Sequence, residues 1–137
     1  MKTFSYLWLN KLSKAPSVNS EGAFYQKDIK MQKLKQVINL QKSIEYKDDC
    51  IERKEVFSNE QSSVTLFALN QGQSRNLHVD PYDEAIFALE GTAEITISEK
   101  AFTLNSGDFI IMPKGEPHGI KAITNFKMAL LRPQHKH

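Results

Sequence analysis

His78-Val79-Asp80-Pro81-Tyr82-Asp83-Glu84 is the stretch on which the reading of this 137-residue chain turns. In an extended strand, residues i and i+2 project from one face, so His78 and Asp80 are expected to point the same way. Pro81 has no amide donor and ends the ladder, Tyr82-Asp83 bends the chain, and Glu84 opens the next strand-like run. A second block, Gly107-Asp108-Phe109-Ile110-Ile111-Met112-Pro113-Lys114-Gly115-Glu116-Pro117, leads into His118, 34 residues beyond Glu84. Imidazole nitrogens with carboxylates, and coordination positions left open, make a ligand set for divalent Fe, Mn, Ni, Cu or Zn. An ionised carboxylate buried without a partner costs on the order of several kcal/mol, so Glu84 inside a core asks for a cation.

Outward from these blocks the chain is a series of short runs rich in Val, Ile, Thr and Phe. They cover residues 51–58, 63–69, 84–89, 92–98, 101–104, 109–112, 119–123 and 127–131. Turn chemistry separates them: Asn70-Gln71-Gly72, Glu90-Gly91 and Asn105-Ser106-Gly107-Asp108. Alternation is clean where Ala93, Ile95 and Ile97 share one face and Glu94, Thr96 and Ser98 the other. Many short strands with glycine-marked turns predict an all-β sandwich or barrel. Phe67, Phe87, Phe102 and Phe109 are expected in its core. The helix candidates are residues 31–37 or 40–47.

The spacing of the two blocks resembles the cupin motifs. Gly72, His78, Asp80, Glu84 and Gly91 stand where the first motif has its glycine, ligands and closing glycine. Gly107, Pro113, Gly115 and His118 match the second. The resemblance spans residues 37–133 and implies a double-stranded β-helix (jelly-roll) barrel with a metal inside its mouth. Carried over position by position, it implies His78, Glu84 and His118 as metal ligands. Asp80 departs from the pattern, which usually has a second histidine there, and Ala122 stands in place of the motif's final Asn. A carboxylate at Asp80 can ligate, giving a harder set suited to Mn or Fe, or it can orient a ligating histidine. His-x-Asp with a distant His also resembles the triad of iron- and 2-oxoglutarate-dependent oxygenases. Those need a basic residue for the co-substrate, and Lys127 and Arg132 are the downstream candidates in the barrel.

Charge is unevenly spread. Residues 1–47 hold nine lysines against Glu21, Asp28 and Glu45, while the remainder is net acidic, for a total of +2. The lysines are scattered and form no dense block, which argues for a solvated segment over a nucleic-acid footprint. No apolar run reaches the ~18 residues of a membrane-spanning helix. The cluster Phe4, Tyr6, Leu7, Trp8 and Leu9 is too short and broken for a secretion signal. One cysteine, Cys50, rules out an internal disulfide framework and fits a cytoplasmic, reducing setting. Residues 1–36 read as a poorly structured or peripheral N-terminal extension, one that caps a dimer partner or precedes a start at Met31. Residues 134–137, with His135 and His137, read as a tail.

With the cupin resemblance, the ligand set implies a metal-dependent enzyme, an isomerase, lyase or dioxygenase, acting on a sugar, sugar acid or keto acid. The cofactor is a divalent Mn, Fe, Ni or Zn ion and the assembly a homodimer; a non-catalytic binding or sensing barrel is the alternative. The expected pocket lining is Ile86, Ala88, Met112 and Ile120, with Tyr82 and Asp83 on the adjoining loop.

Overall fold

The computed structural model describes residues 32–133. The expected N-terminal arm with Phe4 to Leu9 and the tail with His135 and His137 lie outside the described residues. A compact unit begins at Val37.

The described chain is all-β: β1 (Glu52–Ser58), β2 (Ser62–Leu69), β3 (Ser74–His78), β4 (Glu84–Glu90), β5 (Thr92–Ile97), β6 (Lys100–Asn105), β7 (Phe109–Met112), β8 (His118–Ala122) and β9 (Phe126–Pro133). They form a five-stranded sheet in the order β1-β2-β9-β4-β7 and a four-stranded sheet in the order β3-β8-β5-β6, every pairing antiparallel. Between the sheets lies the core, in which Phe126, Leu69, Ile95 and Met128 are fully enclosed. Period-2 alternation accounts for the inward rows. In β5, Ala93, Ile95 and Ile97 are buried while Glu94 is exposed. Gly91, between β4 and β5, has φ +81°, and a Cβ there would lie 1.9 Å from the Asn125 carbonyl oxygen. Only glycine closes this turn.

Three expectations need correction. No helix forms among the described residues, so none is long and apolar enough to cross a membrane. Residues 40–47 show apolar spacing of four at Leu40 and Ile44, but local bonds divert the backbone. The Asn39 side chain accepts the Lys42 N–H, and the Ser43 hydroxyl donates to the Asn39 carbonyl. Such side-chain bonds offer the backbone an alternative to the helical ladder. The segment instead lies as an irregular strap across the outer face of the five-stranded sheet, packing Leu40, Ile44 and Tyr46 against Leu66, Ala68 and Ala129. Second, β3 was not among the expected runs. Third, Phe87 and Phe109 pair across β4 and β7 on the outer face and are 39% and 55% exposed, because Ile86 and Ile110 take the inward positions. Phe67 is buried and Phe102 packs against the core, as expected.

Candidate functional site

The site is built where the mouth ends of β3, β4, β8 and β9 meet. On β8, alternation turns His118 and Ile120 inward, and both are buried. On β3, Arg75 pairs with Ile120 but His78 pairs with His118, so three steps on β3 match two on β8. That extra residue is a β-bulge. A regular ladder would bring Leu77 opposite His118 and turn His78 outward. With the bulge, Leu77 is 59% exposed and His78 faces His118, their ring centroids 4.4 Å apart. Gly119 makes room for it: a Cβ at that position would lie 3.0 Å from both the Arg75 carbonyl oxygen and the Leu77 side chain.

Each imidazole is held the same way. His78 Nδ1 lies 3.3 Å from the Asn76 carbonyl oxygen and His118 Nδ1 lies 3.2 Å from that of Glu116. A carbonyl only accepts, so Nδ1 carries the proton on each ring and Nε2 presents a lone pair. Both Nε2 atoms face carboxylates. His78 Nε2 is 3.1 Å from Asp80 Oδ2, and His118 Nε2 is 3.7 Å from the same oxygen and 3.3 Å from Glu84 Oε1. Arg132 orders the acids from behind, its Nη2 3.0 Å from Asp80 Oδ1 and its Nε 3.0 Å from Glu84 Oε2. Each carboxylate thus gives one oxygen to the guanidinium and turns the other to the imidazoles.

This arrangement concentrates electron pairs. His118 Nε2 is buried without a hydrogen-bond partner among the described residues. Burial pushes the His118 imidazole below its ordinary value, so the ring stays neutral. Burial pushes the Glu84 carboxyl up, the Asp80 carboxylate adds to the rise, and Arg132 opposes it. Two lone-pair atoms 3.3 Å apart in a buried place repel unless a positive charge sits between them. One donor atom from each of His78, Asp80, Glu84 and His118 falls within a set spanning 4.8 Å. Ligands ~2.1 Å from a common ion stand about 3 to 4 Å apart, so small side-chain rotations close the set. The donor set therefore fits a divalent cation.

A cavity of about 340 Å³ opens beside these four residues. Ile86, Met112 and Ile120 line it. Ala88 instead lies in the core, two positions deeper along β4 than Ile86. Tyr82 and Asp83 do not line the cavity: alternation from the inward Glu84 turns Asp83 away, and its carboxylate accepts the Lys114 N–H across the loop. Of the two candidates for an oxygenase co-substrate, Lys127 lies on the outer face and donates to the Gln41 carbonyl, and Arg132 is engaged by Asp80 and Glu84. Sequence reasoning missed the carboxylate-ordering role of Arg132 and the cavity positions of Arg53 and Arg75. The signal for Arg132 was its phase: Met128, Leu130 and Arg132 alternate on one face of β9.

The comparisons with known proteins agree with this fold. The cupin domain model (Cupin_2) matches residues 65–131. A conserved protein of unknown function from Streptococcus pyogenes has a similar structure, with TM-score 0.70 and 28% identity, over 77% of this chain and 92% of that one. A cupin 2 conserved barrel domain protein from Leptotrichia buccalis aligns with TM-score 0.67 and 26% identity, over 71% of this chain and 47% of that one. A cupin superfamily protein from Desulfitobacterium hafniense, at 20% identity and TM-score 0.70 over 75% of this chain and 94% of that one, shares the fold. None of the curated proteins matches the chain. Motif spacing, two-sheet barrel and family model agree that residues 65–131 of this chain are a cupin domain of the Cupin_2 family.

Proposed function

We propose that this protein is a metal-dependent cupin enzyme that acts on a small polar molecule, a sugar, sugar acid or keto acid, at the barrel mouth. His78 and His118 through Nε2, with Asp80 and Glu84, hold the ion. The observation that carries this reading is the buried, unpartnered His118 Nε2 aimed at Glu84 and Asp80. Two imidazoles and two carboxylates form a hard set that favours Mn or Fe, with Ni and Zn next. A divalent ion here supplies Lewis acidity toward a carbonyl or hydroxyl oxygen and acidifies bound water.

The protein's own groups do the rest. Arg132 fixes the orientation of both acids, and the carbonyls of Asn76 and Glu116 fix the imidazole tautomers. Ile86, Met112 and Ile120 form the apolar wall of the cavity. Glu55 is the lining carboxylate outside the ligand set. The homodimer belongs to the same proposal, supported by edge strand β7 with Phe109 and Ile111 exposed; sedimentation velocity checks it, and a monomer removes it.

Elemental analysis of purified protein tests the metal. Wild type is expected to carry close to one divalent transition ion per chain, and His118→Ala to lose it with its circular dichroism unchanged. Wild type that neither carries nor takes up Mn, Fe, Ni or Zn overturns the reading.

A further inference from the structure

Among the described residues three arginines line the cavity, and one of them is held by carboxylates. The guanidinium of Arg132 is shared between Asp80 and Glu84. Arg75 lies over the ring of Phe67, 4.7 Å from its centroid, and no carboxylate among the described residues pairs with it. Stacking on an aromatic face fixes the plane of a guanidinium while leaving its N–H fork free, the geometry that suits a carboxylate. Arg53 pairs with Phe67 in the β1–β2 ladder and so shares its inward face, and it too has no carboxylate partner among the described residues. Arg75 pairs with Ile120, one inward step from His118, so a ligand of a few atoms can touch Arg75 and the His/Asp/Glu group together.

The charges of the wall point the same way. Among the described residues, Glu55, Asp80 and Glu84 are balanced by Arg53, Arg75 and Arg132. A divalent ion added to this balanced wall leaves an excess of two positive charges in a partly enclosed space. A neutral sugar does not offset that excess, and a small acid does.

We infer that the cavity selects a small carboxylate, its acid group on the Arg75 fork with Arg53 as a second cation and its carbonyl or hydroxyl turned to the His/Asp/Glu group. The inference narrows the substrate class proposed above and rests on the ion proposed there.

The test uses full-length protein. Mn(II) alone is titrated first, followed by electron paramagnetic resonance, and pyruvate, oxalate and the neutral pyruvamide are then titrated into the loaded protein by calorimetry. Wild type is expected to bind pyruvate and oxalate and to discriminate against pyruvamide. Arg75→Gln is expected to weaken pyruvate about tenfold or more with Mn(II) affinity unchanged, Arg53→Gln to weaken it less, and Arg75→Lys to fall between wild type and Arg75→Gln. Equal affinity for pyruvate and pyruvamide, no binding of either, or Arg75→Gln matching wild type overturns the inference while the metal reading stands. Failure of wild type to hold Mn(II) overturns the metal reading and this inference with it.

Discussion

Followed along the barrel axis, the inward residues of neighbouring strands change character together. On β8 the row runs His118, Ile120, Ala122, and on β4 it runs Glu84, Ile86, Ala88. On β9 it runs Arg132, Leu130, Met128, Phe126, and on β2 Ser63, Thr65, Phe67, Leu69. One end of each row is polar and borders the cavity; the other is solid hydrocarbon. The same strands therefore carry both duties, separated by only two or three inward steps. The closed end supplies burial energy and holds the strands in register. The open end spends part of that energy on keeping like-charged acids and two imidazoles close together.

Substitutions at the two ends should therefore behave differently. The largest stability effect is expected at the closed end, where Phe126 is fully buried. Phe126→Ala should lower unfolding free energy by about 3–5 kcal/mol while leaving the metal affinity of folded molecules unchanged, as chemical denaturation and metal titration would report. At the open end, Glu84→Gln should lower metal affinity about a hundredfold or more, yet leave the metal-free protein no less stable than wild type. The sign follows from burial. The Glu84 carboxyl is pushed up on folding, so metal-free wild type loses stability as pH rises from the ordinary carboxylate range to that raised value. Glutamine removes this penalty. A fall in metal-free stability for Glu84→Gln would erase the contrast between the ends.

A smaller effect is expected between the ends, at Gly119. Gly119→Val should push the β3 bulge away, costing about 1–3 kcal/mol and weakening metal binding through His78 alone. A crystal structure of the variant with His78 still facing His118 would contradict this account. The smallest effect is expected outside the barrel. Glu90 accepts bonds from Gln41 and Tyr46 and lies near Lys127, which together hold its carboxyl below the ordinary range. The stability this supplies is present above the ordinary value of about 4.3 and is lost as pH falls through the lowered one. Tyr46→Phe should remove about 1 kcal/mol near neutral pH and flatten the acid limb of a melting-temperature profile, with metal affinity untouched.

The barrel and most of the candidate site were legible because the closed end writes itself in alternating apolar residues and the candidate ligands sit at motif spacing beside turn glycines. β3 was not legible, for a reason tied to its role. Ser74-Arg75-Asn76-Leu77-His78 is polar, sits at a sheet edge and is interrupted by the bulge, so no period-2 pattern survives in it. His78 and Asp80 were expected to share a strand face. They do converge, but Asp80 lies beyond the strand end, and the bulge rather than strand parity turns His78 inward. The strap at residues 40–47 misled in the opposite direction, with helical spacing satisfied by turns. Arg75 and Arg53 were silent because a charged residue at an inward position reads from sequence as any surface cation.

The middle of the five-stranded sheet has a consequence for how the molecule comes into being. β9 lies between β2 and β4, and its Lys127 is bonded to the Gln41 carbonyl 86 positions earlier. On a translating ribosome, β2 and β4 have no common neighbour until residues 126–133 have left the exit tunnel. Until then the facing edges of both strands stay unpaired, so a chaperone that shields those edges during synthesis is expected to raise the yield of native molecules.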